Sequence, residues 1–235
     1  MGSTGAATQG TDPDRPVTAR PIVVLGGGEH ALVLIEAARS RPTDWEVVGV
    51  VDPSPSPRAS MSGVAYLGDD GAFIARMASA DRSARPWLVL GVGGIDPRPR
   101  QALAARHEPT EWATVVHGTA WVSPSAELSP GAVVFAGAVV NAGARIGSHA
   151  IVNTGAIVEH DVVIGAFGQV APGVVIGGGT MIGDGAFIGL GARLRDHITI
   201  GASAVVGMGA VVVDDVAPGT TVLGDPARVR ETADA

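Results

Sequence analysis

The C-terminal half of the chain repeats every six residues. Every sixth position from Val122 to Val212 carries an aliphatic side chain, without a single exception. The sixteen positions are Val122, Leu128, Val134, Val140, Ile146, Val152, Val158, Ile164, Val170, Ile176, Ile182, Ile188, Leu194, Ile200, Val206 and Val212. Ala usually stands two residues before each of them, and Gly often follows. A period of six is typical of a parallel β-helix, in which three short strands and three turns close one triangular coil.

The residue types at each position of the repeat fit this architecture. The aliphatic side chain fills the interior of the coil, the Ala beside it must be small to fit near the corner, and Gly admits turn conformations with positive φ. A core forms only when coils stack on one another. A β-sandwich would instead show alternating apolar positions and irregular turn spacing. We therefore expect an all-β parallel β-helix over residues 118–230.

Residues 20–117 follow a different pattern, in which short apolar runs alternate with helical segments. Strands are predicted at 22–25, 46–51, 64–67, 87–91 and 112–116, and helices after residue 29, at 71–80 and at 98–107. This alternation predicts a small Rossmann-like α/β domain with a parallel sheet. Residues 1–19 are polar and lack periodicity, so we expect a disordered tail there, and a frayed end at 231–235.

The composition excludes several kinds of chemistry. The sequence has no Cys, which excludes disulfides, thiolate nucleophiles and Cys–zinc sites, and no Lys, which excludes Schiff bases and a Walker-type phosphate loop. A net charge of −7 argues against a nucleic-acid partner. No apolar run of about 18 residues is present, so no membrane span is expected. The N-terminal segment lacks the pattern of a signal peptide, which favours the cytoplasm.

A charged triplet, Glu159-His160-Asp161, interrupts the apolar repeat. His160 follows the inward-facing Val158 by two residues, which places it at a corner of the coil with its side chain outward. An imidazole whose tautomer is fixed by Asp161 or Glu159 suits a general base. A solvated corner histidine without a catalytic role remains the alternative.

Two glycine-rich segments follow predicted strands of the α/β domain. The first, Gly26-Gly27-Gly28-Glu29-His30-Ala31, fits the pattern G-x-G-x-x-A, and Asp52 ends the second strand. The second contains Gly91 and Gly93. Glycines of this kind let a phosphate approach the N-terminus of a helix, as in dinucleotide-binding proteins. Simple strand-to-helix turns are the alternative interpretation.

These motifs together resemble the hexapeptide-repeat sugar acetyltransferases, which include bacterial UDP-4-amino-sugar N-acetyltransferases and sialic acid O-acetyltransferases. The resemblance covers about residues 22–228 and rests on segments 26–30, 116–117, 123–126, 153–165 and 224–228. It implies a left-handed β-helix, a homotrimer, and acetyl transfer from acetyl-CoA to the amino group of a nucleotide-linked amino sugar. O-acetylation of a sialic-acid-like or other sugar, and a non-catalytic scaffold or nucleotide-sugar sensor, remain alternatives.

The resemblance also assigns roles to single residues. It makes His160 the base, Asp161 its orienting acid and the Gly178 N–H, one coil later, the donor to the developing oxyanion. The residues expected around the nucleotide sugar are Gly26, Gly28, His30, Asp52, Gly91 and Gly93. Those expected near acetyl-CoA are Gln169, Gly178, Leu190, Met208 and Arg228, although Leu190 and Met208 could also serve trimer packing. Gln169 stands where many members have a second histidine, and it cannot titrate.

A zinc enzyme with the same β-helix is a further possibility, as in the γ-type carbonic anhydrases. Such a site needs three converging histidines that include a closely spaced pair. His149, His160 and His197 do not have that spacing. We therefore expect no metal.

Overall fold

A computed structural model describes residues 19–55, 63–108 and 110–230. The expected frayed end and all but the last residue of the expected disordered tail lie outside this range. The α/β part contains β1 (Arg20–Leu25), α1 (Glu29–Arg39), β2 (Trp45–Val51), α2 (Asp70–Ser79), a 3-10 turn (Arg82–Ala84), β3 (Trp87–Leu90) and α3 (Arg98–Arg106). Its sheet is parallel, in the order β2-β1-β3. Within the described ranges, no helix combines the length and apolarity needed to cross a membrane.

This sheet has fewer strands than the sequence predicts. Segment 64–67 joins it only through a bridge between Val50 and Tyr66, and segment 112–116 only through a bridge between Leu88 and Trp112. Val115–Val116 instead forms the first strand of the β-helix. The predicted third and fifth strands are therefore wrong, because an apolar run shows that a segment is buried but not how many of its residues pair.

The rest of the described chain is a stack of triangular coils built from two-residue strands. The strands are β4 (Val115–Val116), β5 (Trp121–Val122), β6 (Glu127–Leu128), β7 (Val133–Val134), β8 (Val139–Val140), β9 (Arg145–Ile146), β10 (Ile151–Val152), β11 (Ile157–Val158), β12 (Val163–Ile164), β13 (Gln169–Val170), β14 (Val175–Ile176), β15 (Met181–Ile182), β16 (Phe187–Ile188), β17 (Arg193–Leu194), β18 (Thr199–Ile200), β19 (Val205–Val206), β20 (Val211–Val212), β21 (Thr221–Leu223) and β22 (Arg228–Val229). Each strand from β4 to β17 pairs in parallel with the strand three positions later in the chain.

Three sheets form the faces of this prism. The docked face, on which helix α1 packs, holds β4, β7, β10, β13, β16, β19, β21 and β22. The second face holds β5, β8, β11, β14, β17 and β20, and the third face holds β6, β9, β12, β15 and β18. We name the corners by the faces they join. The first vertex joins the docked and second faces (as at 153–156), the second vertex joins the second and third faces (as at 159–162), and the third vertex closes the coil (as at 165–168).

The six-residue period predicted the interior of the prism correctly. From Val134 to Val212, every aliphatic side chain of the repeat is at most 5% exposed, and Ala132 and Ala150 are fully buried beside them. Burial of each such aliphatic side chain stabilises the fold by roughly 1.5–3 kcal/mol. The Gly after the aliphatic residue has a steric cause. A Cβ at Gly177 would lie 2.5 Å from the backbone nitrogen of Asp196 in the next coil.

Helix α1 packs directly on the docked face. Its Leu34 and Ile35 belong to one hydrophobic cluster with Val133, Phe135 and Ile151 of the β-helix. The two parts of the chain therefore share a continuous apolar core, which fixes the α/β part against the prism.

Arg100 on α3 adds a polar contact between the same two parts. Its side chain is 1% exposed. It donates to the carbonyl oxygens of His149, at 3.0 Å, and Phe167, at 2.5 Å. His149 and Phe167 lie at the third vertex in left-handed conformations, with their rings stacked 4.8 Å apart. Burial lowers the pKa of Arg100 to about 10, so it stays charged at neutral pH.

Candidate active site

His160 lies at the second vertex, between β11 and β12, with 59% of its side chain exposed. Its Nδ1 lies 3.0 Å from Oδ2 of Asp161. A carboxylate can only accept, so Nδ1–H donates and Nε2 carries the free lone pair. This hydrogen bond is the main reason why the pKa of His160 is raised above 6.5, and the charges of Asp161 and Glu159 add to it. Asp161, and not Glu159, therefore orients the imidazole.

The backbone at Asp161 is unusual for a residue with a side chain. Asp161 has φ 58°, whereas Gly143 and Gly179 occupy the equivalent corner positions one coil below and above. A left-handed conformation costs a non-glycine residue roughly 1–2 kcal/mol, although Asp tolerates it better than most. A Cβ at Gly143 would lie 2.5 Å from Oδ1 of Asp161. The glycine below thus leaves room for the carboxylate that holds His160.

Gly178 lies directly against the imidazole, one coil above it. A Cβ there would lie 2.6 Å from Nε2 and 2.7 Å from Cε1 of His160, so a side chain at 178 would displace the ring. The neighbouring Gly177 and Gly179 N–H groups donate to the carbonyls of Leu194 and His160. Within the described ranges the Gly178 N–H has no acceptor. Gly178 thus combines an unpaired N–H with a position against the imidazole of His160.

The two glycine loops face the β-helix across a cleft of about 770 Å³. This volume is within the range of small-molecule sites. All six residues expected around a nucleotide sugar line it: Gly26, Gly28, His30, Asp52, Gly91 and Gly93. The β-helix contributes Asn153, Thr154, Gln169 and Pro172. Asn153 and Thr154 were not among the site residues expected from the sequence. Its position could have indicated Asn153 as a site residue, because it directly follows the inward-facing Val152, where many other six-residue repeats have Gly.

Asp52 and Gly91 line the cleft and also hold the glycine loops in shape. Oδ2 of Asp52 accepts from the Gly27 N–H at 2.7 Å, and Oδ1 accepts from the Ser54 N–H at 3.1 Å. A Cβ at Gly91 would lie 2.7 Å from the Gly26 carbonyl oxygen. The loops therefore touch each other closely, and the Asp52 carboxylate holds the first of them in place.

His30 presents a neutral imidazole to the cleft. Burial, helped by the charge of Arg100, lowers its pKa to about 4. Its ring meets Phe135 edge-on at 5.3 Å between centroids. Nε2 is buried and has no hydrogen-bond partner among the described residues. At neutral pH the His30 ring is uncharged, so it can form a hydrogen bond with a ligand but cannot form an ion pair with it.

Gln169 lies on the docked face and is only 8% exposed. Its Oε1 accepts from the Gly94 N–H at 3.1 Å, which joins the second glycine loop to the β-helix. Within the chain Gln169 thus belongs to the cleft and not to the surroundings of His160.

Leu190 and Met208 continue the wall of the cleft along the first vertex. Thr154, Pro172, Leu190 and Met208 occupy the same position in four successive coils, 18 residues apart. Leu190 is 52% exposed and Met208 is 78% exposed. Above them, loop 224–227 closes on β20 through hydrogen bonds of Val211 with Gly224 and Ala227. Arg228 follows this loop and is exposed, with Nη1 donating to the carbonyl oxygen of Ala227. These residues form an open edge that runs upward from the cleft.

The two halves of the candidate site lie at different corners of the β-helix. His160, Asp161 and Gly178 are at the second vertex, and none of them lines the cleft, whose β-helix wall includes the first vertex. The second face separates them. Across the described ranges, no group of three or more His, Cys, Asp or Glu residues is arranged to hold a metal ion.

Comparison with known proteins identifies the family. No protein-family model and no curated protein matches the chain. Among solved structures, perosamine N-acetyltransferase from Caulobacter crescentus, with CoA and GDP-perosamine, is similar at 35% identity and a TM-score of 0.79, over 90% of this chain and 97% of that one. This chain belongs to the hexapeptide-repeat sugar acetyltransferases. It is accordingly an acyltransferase.

Two further structures support the assignment. The acetyltransferase domain of PglB from Neisseria gonorrhoeae, in complex with acetyl coenzyme A, is 32% identical, with a TM-score of 0.78 over 90% of this chain and 100% of that one. WeeI from Acinetobacter baumannii is 24% identical, with a TM-score of 0.76 over 90% of this chain and 100% of that one, and shows the shared fold alone. The matches with the Caulobacter and Neisseria structures cover both the α/β part and the β-helix.

Proposed function

We propose that this acetyltransferase moves the acetyl group of acetyl-CoA onto the amino group of a nucleotide-linked amino sugar, with His160 as general base. One observation carries the proposal: the imidazole is held by Asp161 through Nδ1, and its Nε2 edge lies against Gly178, whose N–H has no acceptor among the described residues. These are the base and the oxyanion donor that attack on a thioester needs. The ligands of the Caulobacter and Neisseria structures support the two substrates.

The transfer follows from these groups without a covalent enzyme intermediate. The sugar nitrogen attacks the thioester carbon, and Nε2 of His160 takes a proton from that nitrogen. The carbonyl oxygen becomes an oxyanion that accepts from the Gly178 N–H. When the tetrahedral intermediate collapses, the C–S bond breaks, and the CoA sulfur leaves with the proton held by the imidazolium. Asp161 stabilises the imidazolium between the two proton transfers.

We propose a homotrimer, because the two halves of the site lie at different vertices. The second face between them carries an outward column of Trp121, Val139, Ile157, Val175, Arg193 and Val211, which is apolar except for Arg193 and in which Trp121 is 58% exposed. If three copies turn this apolar face toward a threefold axis, the second vertex of one copy meets the first vertex of the next. His160 of one protomer would then reach the cleft of its neighbour.

The remaining details follow the same resemblance. We propose that the coils wind left-handed, and that the α/β part is a reduced Rossmann-like unit, which the parallel order β2-β1-β3 and the glycine loop after β1 support. Acetyl-CoA would lie along Leu190 and Met208 toward Arg228, with Gln169 between the two substrates. The cytoplasm is the proposed location, because acetyl-CoA is available there.

Product analysis tests the proposal directly. The protein is incubated with acetyl-CoA and a panel of nucleotide-linked sugars that carry either an amino or only hydroxyl groups, and the products are identified by mass spectrometry. A gain of one acetyl group on the amino sugars alone is the expected result. Acetylation of the hydroxy sugars would support O-acetylation instead. Failure of every sugar to react, with CoA not bound, would favour a scaffold or sensor.

A further inference from the structure

Two further cavities lie at the start of β3, away from the large cleft. One of about 180 Å³ is mainly apolar, and we call it the apolar cavity. The other, of about 250 Å³, is lined mainly by charged residues, and we call it the polar cavity. Neither shares a lining residue with the large cleft. Because the glycine loops follow the C-terminal ends of β1 and β3, these cavities lie at the opposite edge of the parallel sheet.

The two cavities adjoin each other. Four residues line both of them: Arg85, Pro86, Glu108 and Thr110. Residues that line both cavities lie where the cavities join, and two of these four are charged. One small molecule can therefore place an apolar group in the apolar cavity while its charged groups contact Arg85 and Glu108.

Apolar side chains from two elements form the walls of the apolar cavity. Phe73, Ile74 and Met77 come from α2, and Leu88 comes from β3. A cavity of about 150 Å³ accommodates benzene. The apolar cavity therefore has room for an aliphatic or aromatic group of that size, and burial of this group favours binding.

Two further polar residues of the apolar cavity, Arg106 and His107, both contact Asp70. Nε2 of His107 lies 2.7 Å from Oδ1 of Asp70, and Nε of Arg106 lies 3.2 Å from Oδ2. Because the Asp70 carboxylate holds both side chains, we expect the charged groups of a ligand beside Arg85 instead.

Arg85 is a positioned cation whose hydrogen-bonding capacity is only partly used. Its Nη2 donates to the carbonyl oxygen of Ala80 at 3.3 Å. Its Nε is buried without a hydrogen-bond partner, and Nη1 likewise has no acceptor among the described residues. A guanidinium group binds a carboxylate strongly, because its N–H groups match the two carboxylate oxygens. Arg85 thus suits the carboxylate of a ligand.

Charges of both signs line the polar cavity without pairing. Arg82 and Arg85 lie in it together with Glu108 and Glu111. In the part of the chain that the structure describes, no ion pair joins either Arg to either Glu. Oε1 of Glu108 instead accepts from Nε1 of Trp112 at 3.4 Å. A cation and an anion that line one cavity but do not bond to each other can bind the two opposite charges of one ligand.

We infer that the two cavities together bind an α-amino acid with an apolar side chain. The side chain lies in the apolar cavity, the carboxylate accepts from Arg85, and the ammonium group donates to Glu108. Such a zwitterion complements both charges of the site, whereas a fatty acid or an apolar amine complements only one. The inference goes beyond acetyl transfer and does not depend on it, since the cavities share no residue with the cleft.

Isothermal titration of the full-length protein with free amino acids tests this inference. Leucine, methionine and phenylalanine are compared with glycine, which lacks the apolar side chain. Each is also compared with its deaminated acid and its decarboxylated amine, which for leucine are isocaproate and isoamylamine. At least one of the three amino acids should bind about tenfold more tightly than glycine and than either of its own analogues. No saturable binding of any of the three at millimolar concentration, or equal binding of an analogue that lacks one charge, would overturn the inference.

Substitutions assign each ligand group to its partner. Arg85→Met should weaken binding of the preferred amino acid about tenfold and leave the affinity for its decarboxylated amine unchanged. Glu108→Gln should weaken binding of the amino acid and leave the affinity for its deaminated acid unchanged. Ala78→Phe, which fills the apolar cavity from an exposed position of α2, should weaken binding of every apolar ligand.

Arg98→Met is the matched control, because Arg98 is exposed on α3 and lines neither cavity. Melting temperatures show which variants are folded. Unchanged affinity for the amino acid in folded Arg85→Met and Ala78→Phe proteins would refute the assignment. The comparison of ligand analogues uses the unsubstituted protein, so it decides the question even where a variant does not fold.

Discussion

The Nδ1 atom of His160 lies 3.0 Å from Oδ2 of Asp161, and Asp161 adopts a left-handed backbone conformation (φ 58°) at this contact. Gly143 and Gly178, one coil below and one coil above, leave the space that the carboxylate and the imidazole occupy. Four residues from three successive coils thus define the orientation of one nitrogen atom, Nε2 of His160.

Replacing His160 by Ala should lower kcat by about 10²–10⁴-fold, the usual contribution of a general base. The fold should not change, because the side chain is exposed and only the hydrogen bond to Asp161 is lost. Steady-state kinetics and the melting temperature measure the two effects. His197→Ala is the control, since His197 is exposed at the same vertex two coils above. Equal losses in both variants would argue against a base at position 160.

Asp161→Asn should shift the pH dependence of kcat/KM to lower pH. The hydrogen bond and charge of Asp161 raise the pKa of His160 above 6.5. Because the base must be neutral, the rate rises as the pH passes through that pKa, and removal of Asp161 moves the rise downward. The maximal rate should also fall, since the imidazolium is less stabilised. Glu159→Gln should shift the profile less, and a larger shift for Glu159 than for Asp161 would contradict the geometry.

Mixed trimers should regain activity from two inactive variants. His160→Ala removes the base at the second vertex, and Asp52→Ala disturbs the first glycine loop in the cleft. If each site combines the base of one protomer with the cleft of the next, random mixing restores about a quarter of the sites. Activity is measured after denaturation and joint refolding of equal amounts of the two variants. No recovery above the separately refolded variants would place both halves of the site in one protomer.

Stability should decrease as the pH falls from about 6.5 to 4. Burial, with the charge of Arg100, lowers the pKa of His30 and His149 from 6.5 to about 4. Below pH 6.5 the unfolded chain therefore binds more protons than the folded one, and the free energy of unfolding drops by up to about 2 kcal/mol per histidine between pH 7 and 5. Urea unfolding at several pH values measures this slope. His149→Asn, which keeps a residue tolerant of the left-handed conformation, should have a smaller slope than the wild type.

Arg100→Met should destabilise the contact between the α/β part and the β-helix. It leaves the carbonyl oxygens of His149 and Phe167 without their donors, at about 1–3 kcal/mol for each unsatisfied acceptor. Relief from burying a charge offsets part of this loss. Chemical unfolding gives the net change, and Arg98→Met is the control, because Arg98 is exposed on the same helix. An equal effect of the two substitutions would show that the buried contact adds nothing.

Much of the fold could be predicted from the sequence, and so could the contact between His160 and Asp161. The aliphatic positions of the repeat are buried as expected, and His160 lies at an outward corner beside Asp161. The predicted strand at 112–116 was wrong because Trp112 and Val115 are both buried but pair with different sheets. The expected position of Gln169 near acetyl-CoA stays a prediction, and the structure adds that its Oε1 accepts from the Gly94 N–H in the cleft. No local pattern indicates a contact of that kind.

The sequence by itself determined the β-helix, because each six-residue unit packs only against the units of its own coil and the coils next to it. The period is therefore visible in the order of the residues. Only the tertiary structure decided how the α/β part sits on the docked face, since the hydrogen bonds that fix it join residues 49 to 78 positions apart. It also decided that His160 and the cleft lie at separate vertices. Their separation depends on which side of the prism the α/β part covers. That side is determined by the apolar surface buried beneath α1 and by the hydrogen bonds of Arg100 to two carbonyl groups.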